Sequence, residues 1–313
     1  MRKITHFFQP TTPSPRLALR RSGARHAFAL VAAVALSTTG ALYAPSADAA
    51  NGPFTTTYSG RTSGDSCNTS RQIVYYAPST GTAPFPLVTW THGTLGIYND
   101  AATHEYLQYM ADAGFVAASI QYDNDTDVSG SELVQKARCI FDAANPNSAI
   151  NKLDALAVVD VSKGIFASGL SQGSLMAHLS RNFHSQVRGA WLSGTGDTGL
   201  FSVHLTELHY TNTALVNIRA TNGQQDAVFG PGYCPGNYAA GNAQQLKHAT
   251  GVGYGSACSV ATSHPNNTAN VSWYVVPGYM HTTDFGFWNK HGQCSDPWSR
   301  CAVKDWAKTL VTP

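Results

Sequence analysis

The stretch Gly164-IFASGLSQGSLMAH-Leu179 places Ser171 between two glycines at the seam of two different patterns. Before it, "IFASGL" is a short apolar run of the kind a fully buried strand uses. After it, Leu175, Met176, Leu179 and Phe183 recur at helical spacing. Gly169-Leu170-Ser171-Gln172-Gly173 matches G-x-S-x-G. A nucleophile raised on a strand-to-helix corner has a strained backbone, and its neighbours must lack side chains where strand and helix approach. The corner also sets the hydroxyl at the positive end of the following helix. The pattern alone arises by chance in a Gly- and Ser-rich chain. With this strand before it and this helix after it, it predicts Ser171 as a nucleophile rather than a structural turn.

Outward from this corner, apolar runs alternate with helical patterns. "FPLVTW" (85–90), "FVAASIQY" (115–122), "VRGAWLS" (187–193), "ALVNIRAT" (214–221) and "VSWYVVP" (271–277) read as strands. Tyr106, Leu107, Met110 and Ala111 share one helical face, closed by Gly114. Leu133, Ala137, Ile140 and Ala144 share another, with Pro146 beyond it. A last helix is expected to open at Asp296-Pro297, with Val303, Trp306 and Leu310 at core spacing. This alternation predicts an α/β fold with a mostly parallel sheet and helices on both faces. Residues 51–77, with "RQIVYYA", are expected to add antiparallel edge strands. Two stretches break the alternation: 194–213 after "AWLS", and the Gly-rich 229–267 with two cysteines, read as a long ordered loop.

A serine hydroxyl needs a base, and in this architecture the chain order is serine, acid, histidine. Of the histidines after Ser171, His281 follows "WYVVP" within a few residues, on the rim expected to carry the serine. His291 is the next candidate; His178 and His184 fall on the serine's own helix or its end. Asp226, just past "ALVNIRAT", is the expected acid, orienting the imidazole and stabilising its charged form; Asp197 is the alternative one strand earlier. The oxyanion of a tetrahedral intermediate needs backbone donors. Gln172 supplies one N–H directly after the nucleophile. The turn "THGTLG" supplies the other, assigned to Thr94 with Leu95 as the off-by-one alternative, and His92 supports that turn.

The first 49 residues read as a secretory signal peptide: Arg16, Arg20, Arg21 and Arg25, then an apolar core at 28–44, then "ADA" at 47–49. Residues 50–313 are expected to form a single soluble catalytic domain, secreted or periplasmic. The six cysteines, Cys67, Cys139, Cys234, Cys258, Cys294 and Cys301, all follow that leader, and in an oxidising compartment an even number implies disulfides. Pairing is open among fifteen arrangements. Local closure favours Cys294–Cys301 and Cys234–Cys258, leaving Cys67–Cys139. No Cys/His spacing points to a metal. Charged residues make up 12% of the chain, about half the usual share, and the net charge is +2. That balance gives no reason to expect nucleic acid or stable membrane anchoring. A monomer is the expectation.

"PLVTWTHGT", "YLQYMADAGFVAASIQYDNDT", "GLSQGS", "NGQQD" and "PGYMH" together resemble the secreted α/β-hydrolases, in particular the dienelactone-hydrolase-like, cutinase and polyester-hydrolase group. The resemblance covers most of residues 80–285 as pattern and motif order. It implies an eight-stranded sheet, no cofactor, and hydrolysis of a small or polymeric ester through an acyl-enzyme, with Ser171, Asp226, His281, Thr94 and Gln172 in the roles above. The chain departs from that group in lacking a Trp-His pair after the strand ending near Ser193, and in the cysteine-bearing segment 229–267. Both departures bear on the substrate. An amidase or peptidase with the same triad, and a catalytically inert binding module on this fold, remain alternatives at this level.

Overall fold

The computed structural model describes residues 51–61, 66–196, 217–250, 258, 263–265, 271–281 and 294–312. The strands are β1 (Asn51–Gly60), β2 (Thr69–Ala77), β3 (Leu87–Thr91), β4 (Val116–Ile120), β5 (Ile165–Leu170), β6 (Val187–Ser193), β7 (Ile218–Gly223), β8 (Ser263–Pro265) and β9 (Ser272–Val276). They form one sheet in the order β1-β2-β4-β3-β5-β6-β7-β9-β8. From β4 to β9 every neighbouring pair is parallel, whereas β1 and β2 add to one edge antiparallel, as expected for residues 51–77. Beyond the eight expected strands, the three-residue β8 pairs antiparallel with β9 at the other edge.

The central strands are buried from end to end, which explains their continuous apolar runs: a parallel sheet is covered on both faces. Successive side chains point to opposite faces, so each run feeds two cores. Leu87, Ile165 and Ala167 pack with Leu133 and Ile140 of α2 (Gly130–Phe141), Leu153 of α3 (Ala149–Asp154) and Met176 of α4 (Gln172–Phe183). Their neighbours Val88 and Phe166 pack on the other face with Leu107 and Met110 of α1 (Ala101–Asp112). Val303 and Trp306 of the C-terminal helix α6 (Arg300–Leu310) complete that layer.

Three boundaries differ from expectation. Helix α2 stops at Phe141 and leaves Ala144 exposed, because the Asp142 carboxylate accepts the Ala144 N–H at 2.9 Å and turns the chain. Helix α6 opens at Ser299, whose hydroxyl accepts the Ala302 N–H at 3.2 Å; Asp296 only heads the preceding turn. The third difference is larger. Within the segment read as an irregular loop, Tyr238–Thr250 forms a helix, α5, that buries Asn242, Gln244, Gln245 and Thr250 beside Ala243 and Leu246. Most of the other anomalous stretch, 197–213, lies outside the described residues.

All six cysteines are paired: Cys67–Cys139, Cys234–Cys258 and Cys294–Cys301, with Cα separations of 5.4, 5.6 and 5.1 Å. The last two are the pairs that local closure favours, and the first is the pair it leaves. The first ties the β1–β2 connection to α2. The described residues all fall in one compact unit.

Candidate active site

Strand β5 delivers the chain to Ser171, and α4 begins at the next residue. Ser171 has φ 55° and ψ −123°, a region that L-residues occupy at a cost of roughly 1–3 kcal/mol. The flanking glycines make the corner sterically feasible. A Cβ on Gly173 would meet Thr91 O at 2.1 Å, and one on Gly169 would meet Gly173 O at 2.3 Å. The Thr91 hydroxyl donates to Gly173 O at 2.7 Å and pins helix to strand there.

The ends of three strands bring the predicted triad together. His281 Nε2 lies 2.8 Å from Ser171 Oγ, and His281 Nδ1 lies 2.7 Å from Asp226 Oδ2. All three side chains are buried, Asp226 completely. Asp226 Oδ1 accepts the N–H groups of Val228 (2.8 Å) and Phe229 (3.2 Å), which fixes its rotamer. With that carboxylate accepting from Nδ1–H, Nε2 is left as the acceptor facing the serine hydroxyl. Phe229 packs on the imidazole at 5.5 Å, and the backbone of Gly194 passes close to it from the other side.

The loop that carries Asp226 is held by α5, and this explains the burial of Asn242 and Gln245 in that helix. Asn242 Nδ2 donates to Asp226 O at 2.9 Å, and Gln245 Nε2 donates to Phe229 O at 2.9 Å. Asn222 exchanges two hydrogen bonds with the backbone of Thr195 and donates to Asn242 Oδ1 at 3.1 Å, joining the ends of β6 and β7. Gly241 lets α5 approach: a Cβ there would lie 1.7 Å from Gly230 O.

The turn after β3 closes with Gly96 N–H donating to Gly93 O at 2.9 Å. Leu95, at φ 57°, donates its N–H to Asn124 O at 3.0 Å, so that group is engaged away from Ser171. The Thr94 N–H has no partner among the described residues, and Thr94 lines the same cleft as Ser171. Gln172, the first residue of α4, has no intrahelical partner for its own N–H. Its side chain donates to Asp125 O (2.9 Å) and Thr94 Oγ1 (3.3 Å), linking the two donor-bearing segments. His92 supports the turn from within: it stacks on Tyr122 at 4.6 Å, and burial pushes its pKa down to about 4, so it is neutral.

Two groups here escape sequence reasoning. Asn124 Nδ2 lies within hydrogen-bonding distance of Gly93 O (3.1 Å) and Gly96 O (2.8 Å), and Tyr122 OH donates to His92 O at 2.5 Å. Both follow β4 in "QYDNDT", where an Asx-rich run after a buried strand is the one available signal. Asp197 and His291, the alternative acid and base, lie outside the described residues. His178 is buried within α4 and His184 stands at its far end. The cleft over Ser171 and His281 has a volume of about 310 Å³, with Leu170 and Val228 among its walls.

No protein-family profile and no curated protein matches this sequence. Solved structures do. A cold-adapted esterase from an Arctic intertidal metagenomic library superposes with a TM-score of 0.52 at 13% identity, over 82% of this chain and 93% of that one. An S-formylglutathione hydrolase from Agrobacterium tumefaciens gives 0.52 at 12% identity, over 83% and 98%. An acylaminoacyl peptidase from Pyrococcus horikoshii gives 0.52 at 10% identity, over 84% of this chain and 42% of that longer one. These likenesses concern architecture, and with the sheet order above they show that the chain has the α/β-hydrolase fold.

Proposed function

We propose that this chain is an exported serine hydrolase that cleaves carboxylic esters through an acyl-enzyme. The observation that carries the reading is the continuous Asp226–His281–Ser171 chain, at 2.7 and 2.8 Å, ending on a serine held in a strained corner. Ser171 Oγ attacks the ester carbonyl while His281 Nε2 takes its proton, and Asp226 stabilises the imidazolium. The N–H groups of Thr94 and Gln172 receive the oxyanion, each donor being worth roughly 10²–10³ in rate. Collapse of the intermediate expels the alcohol, which takes its proton from His281. Water, deprotonated by the same nitrogen, then cleaves the acyl-enzyme and restores Ser171.

Export is supported by the basic and apolar leader with its "ADA" site, and by three disulfides that a reducing cytoplasm would not maintain. Leu95, Ile97 and Met280 are exposed beside the oxyanion turn and His281, an apolar surround that suits bulky or polymeric esters. An inert binding module would have no use for the strain at Ser171 or the carboxylate buried beside His281.

The test is turnover of matched ester and amide substrates by the mature chain. We expect ester cleavage with kcat/KM at least tenfold above that of the amide, and its loss in Ser171→Ala. Faster amide cleavage would make the chain a peptidase or amidase, and no cleavage of either would remove the hydrolase reading.

A further inference from the structure

Lys136 is a buried charge that the proposed reaction leaves unused. It stands on α2, is 1% exposed, and its side chain is wholly covered. An ammonium is rarely buried to that degree, because leaving water is costly unless partners answer it. Its partners lie in the loop between β4 and α2: Nζ donates to Asp125 Oδ1 at 2.8 Å and to Asp127 O at 2.8 Å. That loop closes on its own account. Asp125 Oδ1 accepts the Asp127 N–H and Asp127 Oδ1 accepts the Ser129 N–H, each at 3.1 Å, so two side-chain turns already shape the chain. What the ammonium adds is a tie from the loop to α2.

The other side of the same loop holds the oxyanion turn. Tyr122 OH donates to His92 O at 2.5 Å, and Asn124 O accepts the Leu95 N–H at 3.0 Å. Asn124 Nδ2 reaches Gly93 O at 3.1 Å and Gly96 O at 2.8 Å. Asp125 O accepts from Gln172 Nε2 at 2.9 Å, and that nitrogen also lies 3.3 Å from Thr94 Oγ1. Asp125 is where the two sides meet, with its carboxylate on Lys136 and its main chain on Gln172. Helix α2 is a firm reference for both. Leu133 and Ile140 pack in one core with Met176 and Leu179 of α4, the helix that Gln172 opens, and Cys139 is bonded to Cys67.

We infer that Lys136 is a positioning residue for the oxyanion hole: by holding Asp125 it fixes the 122–127 loop, which keeps the Thr94 and Gln172 N–H groups converged on one point. The inference rests on the ester-hydrolase reading above and on the two donors named there. Both partners of the ammonium lie outside the triad, so Lys136 acts through Asp125, Gln172 and the 93–96 turn. Oxyanion donors act on the transition state, where the carbonyl oxygen gains charge, far more than on the bound ester. Slack in the loop therefore lowers kcat and leaves KM in place.

The test is Lys136→Met, which keeps an unbranched stem and removes the ammonium, beside Asp125→Ala, which cuts the same link at a side chain that is 41% exposed. Rates on methyl butyrate are divided by the amount of Ser171 that a fluorophosphonate labels at completion, so misfolded protein is not counted. Each variant is expected to lose about ten- to hundredfold in kcat with KM within about twofold of wild type. Inhibition by 1,1,1-trifluoropentan-2-one, whose hemiketal oxyanion needs the same two donors, is expected to weaken in step with kcat. The double variant is expected to lose no more than the worse single one, because both remove one link. Wild-type kcat per labelled serine in Asp125→Ala, a loss carried by KM with the ketone unaffected, or losses that multiply in the double variant would each overturn the positioning role. Wild-type protein that neither labels nor cleaves the ester would instead remove the hydrolase reading.

Discussion

Ser171, Asp226 and His281 depend on different local devices, and each device is testable. Ser171 needs its two flanking glycines, while Asp226 needs the N–H groups of Val228 and Phe229 to hold its carboxylate toward His281. In Asp226→Asn the side chain keeps its shape but offers an NH₂ to His281 Nδ1. The imidazole then carries its proton on Nε2 and cannot accept one from Ser171. We expect kcat for ester hydrolysis to fall by about 10⁴ with the thermal midpoint nearly unchanged. A loss below tenfold would show that Asp226 is not the orienting acid. At this scale the triad was legible because each member sits directly beyond an apolar run, and a corner glycine pair is a local steric requirement. Asn124 and Tyr122 were not legible, since they act by hydrogen-bonding to main-chain oxygens, which demands no motif and tolerates any sequence spacing.

At the scale of elements, β3, β4 and β5 were readable because a strand buried on both faces is mostly apolar, broken here only by small Thr89, Thr91, Ser119 and Ser168. Helix α5 was hidden for the opposite reason. Its inner face mixes Asn242 and Gln245, which bond the backbone of the Asp226 loop, with small Ala240, Ala243 and Ala249, so Leu246 is the one large apolar residue to mark it. The same contact makes α5 sensitive. Gly241→Ala places a methyl 1.7 Å from Gly230 O, and backbone on both sides cannot yield as a flexible side chain would. The expected outcome is a destabilisation of about 1–3 kcal/mol in urea titrations, with a fall in kcat as the loop holding Asp226 shifts. Wild-type stability and kcat in this variant would refute the claim that α5 buttresses the acid.

Over the whole molecule, the nine-stranded sheet and two helical layers set three loop ends on one rim, and the alternation of runs and helices along the chain already implied that arrangement. The fold also carries a pH dependence. Burial pushes His92 down to about 4 and lowers His184, while both return to about 6.5 in the unfolded chain. Between about pH 6.5 and 4 the unfolded chain therefore binds more protons. The stabilising contribution is complete above about pH 6.5 and is lost on acidification, at up to about 1.4 kcal/mol per pH unit for His92. Urea midpoints should fall from pH 7 to pH 5, and His92→Phe should show a shallower fall; an identical slope would mean that His92 is not held neutral by burial. If Ser171 is an activated nucleophile, a fluorophosphonate modifies it, and intact-mass analysis after treatment reads this out. One covalent adduct per wild-type chain is expected, mapped to Ser171 and absent from Ser171→Ala. Folded wild-type protein that takes up no label, or a Ser171→Ala variant that labels as fully, would rule the nucleophile out.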